Sequence, residues 1–319
     1  MILQVKDLRV SFRTEQGMVR VLDGVSFDVR QGEVLGIVGE SGSGKTVTVL
    51  AVMGLITDPN AVIEGSILYK GRELVGMKPR QMRDLRGREI AMIFQDPMTA
   101  LTPVYTIGWQ IAEQILTHQN VSRKQAWAKA IDLLEEVGIP KPEEAVHRYP
   151  HQLSGGMRQR AVIAMALTCN PALLVADEPT TALDVTVQAQ ILDLLRKLQQ
   201  SHGSSIIFIT HDLGVMAEIA DRIMVMYAGR PVERADRTAL FAKPRHPYTT
   251  ALLNSIPPLE GPRPHRLQSI AGAPPSLLTL PKGCAFAPRC PLRMPACDMA
   301  KPPLVGGAHA AACISPSAQ

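Results

Sequence analysis

The chain has 319 residues, 46% of them hydrophobic, which is enough for about two domains with buried cores. Its longest apolar runs, residues 161–167 and 206–209 among them, fall well short of the roughly 18 residues that a membrane-spanning helix requires. A net charge of +5, arginines scattered along the chain and only 4% aromatic residues argue against a nucleic-acid partner, because neither a basic stripe nor an aromatic stacking platform is present.

Met1 to Asp7 lacks the basic, apolar and small-residue regions of a signal peptide, which predicts a cytosolic chain with reduced cysteines. Residues 2–10 and 21–29 alternate apolar and polar side chains between Gly17, Gly24 and Gly32, a pattern that predicts an antiparallel sheet. Residues 34–38 form a short apolar run ending at Gly39, followed by helical periodicity over 45–55. Further buried strands are predicted at 90–94, 173–176, 205–209 and 223–227, and the helices between them imply an α/β fold with a parallel sheet.

Between the strand ending at Phe94 and the strand starting at Leu173 the pattern turns helical. Residues 107–117 and 122–137 have helical spacing; Ser122 with Gln125 reads as a capping box, and Gly138 and Pro140 mark the stop. This predicts a helical subdomain over about residues 96–160, or alternatively a crossover bundle within one domain. Beyond about residue 241 the composition shifts, with fifteen of the twenty-five prolines and four of the five cysteines. Such a tail cannot sustain long regular elements and needs a staple to order it.

Gly39-Glu40-Ser41-Gly42-Ser43-Gly44-Lys45-Thr46 fits the phosphate-loop pattern, and it lies between a predicted strand and a predicted helix. Backbone amides of such a loop cradle phosphates, Lys45 neutralises the β and γ groups and the Thr46 hydroxyl binds magnesium. The strand Leu173-Leu174-Val175-Ala176 runs into Asp177 and Glu178. Asp177 is the candidate magnesium ligand and Glu178 the candidate base that orients and deprotonates the attacking water. Phe12 either stacks on adenine or is a core residue of the antiparallel sheet.

With Leu153-Ser154-Gly155-Gly156-Met157-Arg158-Gln159, these motifs resemble the nucleotide-binding subunits of ATP-binding cassette transporters over residues 3–232. The resemblance implies a RecA-like mixed-sheet core, an antiparallel β subdomain and an inserted helical subdomain. It implies that Ser154, Gly155, Gly156 and Gln159 contact ATP held by another subunit, and that Asp184, in Thr181-Ala182-Leu183-Asp184, couples the two sites. It also implies that Gln95 reaches the magnesium site and that His211 contacts the γ-phosphate. Two ATPase subunits are then expected to close head to tail over two ATP molecules and to drive two membrane permease subunits.

Cys284, Cys290, Cys297 and Cys313 could hold zinc or an iron–sulfur cluster, or remain free; their spacing alone does not choose. Cys169, beside Pro171, is expected to pack as a small apolar residue. The string Pro281-Lys282-Gly283-Cys284-Ala285-Phe286-Ala287-Pro288-Arg289-Cys290-Pro291, together with His246-Pro247-Tyr248-Thr249, resembles the C-terminal region of oligopeptide and dipeptide importer ATPases. That resemblance favours a [4Fe–4S] cluster over zinc. It implies an ATPase domain at 1–240 and an irregular Cys/Pro-rich domain at 241–319. It also implies a peripheral place on the cytoplasmic face of the membrane, an extracytoplasmic solute-binding protein and a partner ATPase that forms a heterodimer.

Residues 86–97 resemble the first of the two ATPase subunits of such importers, although Ala100-Leu101-Thr102-Pro103 replaces the usual Ser-Leu-Asn-Pro. Related importers carry nickel, glutathione or opines in place of peptides. Two readings of other classes are a soluble cassette ATPase acting on nucleic acid or ribosomes, and a non-enzymatic metal-binding module. The first lacks a second cassette or a long coiled-coil insertion; the second is at odds with intact Lys45, Asp177, Glu178 and His211.

Overall fold

The computed structural model describes residues 1–181, 183–255 and 270–315. The chain opens with β1 (Leu3–Thr14), β2 (Gly17–Val29) and β3 (Val34–Val38), then α1 (Lys45–Val52), β4 (Ala61–Tyr69), β5 (Arg72–Glu73), α2 (Pro79–Leu85) and β6 (Ile90–Ile93). A helical stretch follows: α3 (Pro97–Ala100), α4 (Ile107–His118), α5 (Arg123–Glu136), α6 (Pro142–Ala145) and α7 (Gly155–Leu167). The second half alternates β7 (Leu173–Asp177), α8 (Val185–His202), β8 (Ser205–Thr210), α9 (Leu213–Ile219), β9 (Arg222–Tyr227) and β10 (Arg230–Asp236). It closes with α10 (Arg237–Ala242), α11 (Pro247–Asn254) and the two-residue β11 (Ala310–Ala311).

Two sheets result, ordered β2-β1-β4-β5 and β11-β10-β9-β3-β8-β7-β6. The first is antiparallel. In the second, β9, β3, β8, β7 and β6 run parallel, while β10 and β11 add antiparallel at one edge. The five strands that the sequence pattern assigns to a parallel sheet are parallel, and the antiparallel edge makes the sheet the mixed one that the resemblance implies. The β9–β10 hairpin turns through Ala228 and Gly229, both at positive φ, in the two-residue form that matches strand twist.

Strands β3, β7, β8 and β9 are buried at every position, as strands covered on both faces must be. Alternation then assigns their side chains to two layers. Leu35, Ile37, Val175, Ile207, Ile209, Met224 and Met226 pack with the antiparallel sheet around Leu3, Val5 and Leu8. Val34, Val38, Ala176, Ile206, Phe208, Ile223 and Val225 face the helices, in one buried cluster that reaches Ile107, Ile111 and Ile115 of α4 and Tyr248 and Phe286 of the tail.

The expected capping box on α5 is present: the Ser122 side chain accepts from Gln125 N–H, and Gln125 Oε1 accepts from Ser122 N–H. Among the described residues of the tail only α11 reaches two turns, in keeping with its proline content. Among the described residues no helix is long and apolar enough to cross a membrane.

Candidate nucleotide site

Strands β3, β8, β7 and β6 are neighbours in that order and all run parallel, so their carboxyl ends share one edge of the sheet. The loops after them carry Gly39 to Thr46, His211, Asp177 with Glu178, and Gln95. Topology alone thus gathers four segments that are up to 172 residues apart, at the edge where open α/β sheets bind ligands.

A cleft of about 980 Å³ lies there, lined by Lys45, Thr46, Gln95, Glu178, Thr181 and His211 together with Ser41, Gly42 and Gly44. Lys45 Nζ donates to the carbonyls of Gly39 (2.8 Å) and Glu40 (3.2 Å) and lies 4.0 Å from Glu178 Oε1. Burial lowers the Lys45 pKa, and the charges of Glu178, Asp177 and Glu40 oppose that shift. Thr46 Oγ1 donates to Asp177 Oδ1 at 3.3 Å, and burial raises the Asp177 carboxyl above its ordinary value.

Glu178 is the hub. Its Oε2 accepts from Thr181 Oγ1 at 3.0 Å and from Gln95 Nε2 at 3.2 Å, and lies 3.3 Å from His211 Nδ1. Its backbone is left-handed, with φ of 48°, a conformation that costs a non-glycine residue about 1–2 kcal/mol. In this conformation, at the end of β7, Glu178 lines the cleft.

Gly44 has φ of 99° and a Cβ there would meet Leu22 Cδ2 at 2.7 Å, so glycine is required where the loop enters α1. No side chain caps α1 and no acidic residue occupies its first turn, which leaves its amides open to an anion. The Ser43 hydroxyl is buried without a hydrogen-bond partner among the described residues, and Gly229 N–H of the β9–β10 turn donates to Ser43 O at 3.0 Å.

The signature segment lies elsewhere: none of Ser154, Gly155, Gly156 or Gln159 lines the cleft. Ser154 caps α7, its Oγ accepting from Met157 N–H at 3.3 Å. Asp184 caps α8 in the same way, its Oδ1 accepting from Val187 N–H at 3.0 Å. The two helix starts adjoin, since a Cβ on Gly156 would meet Val187 Cγ1 at 2.8 Å and one on Gly155 would lie 3.8 Å from Leu183 Cδ2. Ser154 and Asp184 are exposed there, and Gly155 and Gly156 partly so. Ala182 lies outside the described residues. Gln159 is a correction: it is 1% exposed, one helical turn into α7, where it cannot face another subunit with Ser154.

Residues 22–181 match the family described as ABC transporter. The chain belongs to the ABC transporter family. Residues 232–297 of this ABC chain match the family described as oligopeptide/dipeptide transporter, C-terminal region. It is similar to the oligopeptide transport ATP-binding protein OppD of Bacillus subtilis, 53% identical over 304 residues that span 95% of this chain and 85% of that protein. It is also similar to the dipeptide transport ATP-binding protein DppD of Bacillus subtilis, 52% identical over 302 residues, 94% of this chain and 90% of that one. Among solved structures it resembles the dimeric structure of MJ0796, a bacterial ABC transporter cassette. There the TM-score is 0.66 at 25% identity, over 74% of this chain and 98% of that chain.

The structure does not bring Phe12 into the cleft of this ABC cassette. Its side chain is partly buried against the core between the sheets, and Val21 on the neighbouring strand lines the cleft instead. β1 is long enough to carry Phe12 within the pleat, paired with Val19 and Ala61, which places it on the core side. Part of the cleft wall is built by the tail: Leu252, Ile270, Pro274, Leu277 and Arg289. Sequence reasoning missed this wall, because nothing local in a proline-rich tail indicates which surface it covers.

Cys284, Cys290, Cys297 and Cys313 all line one small cavity of about 10 Å³ and are free thiols. Burial raises the thiol pKa of Cys284, Cys290 and Cys313, and the neighbouring cysteines raise it further. Among the described residues, no three His, Cys, Asp or Glu side chains are gathered as closely as a bound metal ion requires. Cys169 is partly buried near the end of α7, beside Thr168 and Gln119.

Proposed function

We propose that this chain is the subunit whose ATP hydrolysis powers peptide import across the cytoplasmic membrane, acting from its cytoplasmic face. One observation carries the reading: Lys45, Thr46, Gln95, Glu178 and His211 line one cleft, and Ser154, Gly155 and Gly156 do not line it. Each is half of a site. Two chains closing head to tail would complete two sites, each with Lys45-type residues from one chain and Ser154-type residues from the other. The peptide cargo and the permease partners rest on the relatives named above and on the matched C-terminal region.

In this reading Gly39, Ser41, Gly42, Ser43 and Gly44 wrap the phosphates with backbone amides, and the unpartnered Ser43 hydroxyl gains an acceptor. Lys45 exchanges its bonds to loop carbonyls for the β- and γ-phosphates. Thr46 and Asp177, with Gln95, would hold magnesium, which would supply positive charge to offset that of the phosphates and of the buried Asp177. Glu178 accepts the proton of the attacking water, while Gln95, Thr181 and His211 fix the direction of its carboxylate. Ser154, Gly155 and Gly156 approach the γ-phosphate of the facing site, and Asp184 holds the adjoining helix start. Loss of the γ-phosphate removes what both chains grip, so hydrolysis reopens the pair and moves the permeases.

The partner set we propose is a second, different ATPase subunit, two transmembrane permeases and an extracytoplasmic solute-binding protein. We assign residues 1–240 to the ATPase domain, with its helical subdomain at about 96–160, and 241–319 to a Cys-rich C-terminal domain. There Cys284, Cys290, Cys297 and Cys313 would hold a [4Fe–4S] cluster, a reading supported by the matched C-terminal region and by four thiols around one cavity, and one that requires the thiols to draw closer than they lie here. Anaerobic purification should yield iron and sulfide at about four per chain, as four thiolates to one cubane require; zinc without iron would refute the cluster. For transport, the chain should be purified with its membrane partners and reconstituted in liposomes. Peptides should accelerate magnesium-dependent ATP hydrolysis; stimulation by nickel, glutathione or an opine alone would overturn the peptide assignment.

A further inference from the structure

Two residues of the tail, Arg289 and Tyr248, hydrogen-bond the phosphate loop directly. Arg289 closes a single 3-10 turn, Ala287–Arg289, and immediately precedes Cys290. Its side chain is 5% exposed and meets Glu40 in a fork: one guanidinium nitrogen lies 2.6 Å from Oε2 and the other 3.0 Å from Oε1. The first nitrogen also donates to Tyr227 Oη at 3.3 Å, and Nε donates to Ala271 O at 2.9 Å. All three guanidinium nitrogens are thus occupied. Planar two-point pairing of this kind fixes direction as well as distance.

Glu40 is the second residue of the loop, between Gly39 and Ser41. Its N–H donates to Tyr248 Oη at 2.8 Å, and its carbonyl accepts from Lys45 Nζ at 3.2 Å. Tyr248 is fully buried and packs against Tyr227 and Phe286, with ring centroids 4.6 and 5.3 Å away. The tail therefore holds Glu40 by its side chain and its amide, while the loop lysine holds its carbonyl. Cys284 and Cys290 flank this contact in sequence, and the cavity they share with Cys297 and Cys313 lies against Phe286 and Ala287.

We propose that Arg289 is a positioning residue for ATP binding: through Glu40 it sets the phosphate loop, and it makes loop geometry depend on the state of the cysteine cavity next to it. The inference rests on the reading of Gly39 to Thr46 as the ATP-binding loop. A tail that only stabilised the fold would need no charged fork on the loop itself.

The test is a double-mutant cycle on the full chain, with Mg-ATP titrated by calorimetry and thermal melting as the check on folding. Arg289→Gln and Glu40→Gln should each weaken Mg-ATP binding by about tenfold, and the double variant by no more than the worse single one, since all three lose the same fork. In the assembled transporter the same variants should raise KM for ATP by a similar factor, with kcat changed less than about threefold. Arg289→Lys, which keeps the charge without the fork, should fall between. Cys290→Ser should weaken binding in the parent and have no added effect in the Arg289→Gln background. Unchanged affinity in Arg289→Gln and Glu40→Gln, or losses that add in the cycle, overturns the proposal. If Arg289→Gln does not fold, the half-buried Glu40→Gln decides alone. Failure of the parent chain to bind Mg-ATP overturns the nucleotide reading itself, which is a different result from variants that match a binding parent.

Discussion

Replacing Glu178 by Gln removes one negative charge and the capacity to take a proton, and little else. Thr181 Oγ1 at 3.0 Å and Gln95 Nε2 at 3.2 Å both donate to the same oxygen, Oε2, so an amide can keep both bonds by turning its carbonyl to that side. Its NH2 group then faces Lys45 Nζ, which lies 4.0 Å from Oε1 in the parent. Lys45 and Thr46 keep their places, and a carboxylate that repels the γ-phosphate is gone, so Mg-ATP should bind at least as tightly. Loss of a general base costs about 10²–10⁴ in rate. At about 1.4 kcal/mol per decade this is a barrier increase of roughly 3–5 kcal/mol. Single-turnover phosphate release in the assembled transporter measures it, with nucleotide binding measured separately. Bound ATP that is not hydrolysed should also leave the variant as a closed pair of ATPase subunits in sizing experiments. Turnover within about tenfold of the parent would refute the role of Glu178 as base; lost Mg-ATP binding would instead make it a support of the loop.

Three further outcomes follow from the geometry. Burial raises the Asp177 carboxyl above its ordinary 3.8, chiefly by desolvation, so its cost to the fold is absent below that pH and grows as pH rises above it. Asp177→Asn should therefore melt higher than the parent at pH 7 without ligand, lose that advantage as pH falls towards 3.8, and gain less from Mg-ATP; a lower melting temperature at pH 7 would contradict this. Arg222 pairs with Glu33 and Asp28, and its side chain is 10% exposed against 7% for Glu33. Arg222→Met should cost about 3–5 kcal/mol in denaturant unfolding, the penalty for leaving a buried carboxylate unpaired, and a change under 1 kcal/mol would mean that water reaches Glu33. Gly156→Ala must displace Val187, whose Cγ1 lies 2.8 Å from the added carbon, at a cost of about 1–3 kcal/mol. It should weaken ATP-driven pairing of subunits and leave Mg-ATP binding to the single chain intact, as ultracentrifugation with and without nucleotide can show.

Local pattern sufficed wherever a property depends on near neighbours in sequence. The run 34–38 followed by the loop and α1, the Ser122–Gln125 capping box, and the strand that delivers Asp177 and Glu178 were all legible, because period, cap and glycine placement are short-range. Motif order also indicated which side chains meet, since parallel strands place their following loops on one edge. Spacing could not show that β10 joins the sheet antiparallel, that Phe12 faces the core while Val21 faces the cleft, or that Gln159 is sealed inside α7. Each of these depends on which surface a segment meets after the chain has closed.

The sequence by itself determined the chemistry: a loop of glycines before Lys45 and Thr46, and a strand ending in two carboxylates, admit few uses. The tertiary structure alone decided that the tail walls the nucleotide cleft and that Arg289 grips Glu40 across 249 positions. An ion pair of that separation leaves no periodicity to read, because its geometry is set by the buried Tyr227, Tyr248 and Phe286 that dock the tail, not by any neighbour in the chain.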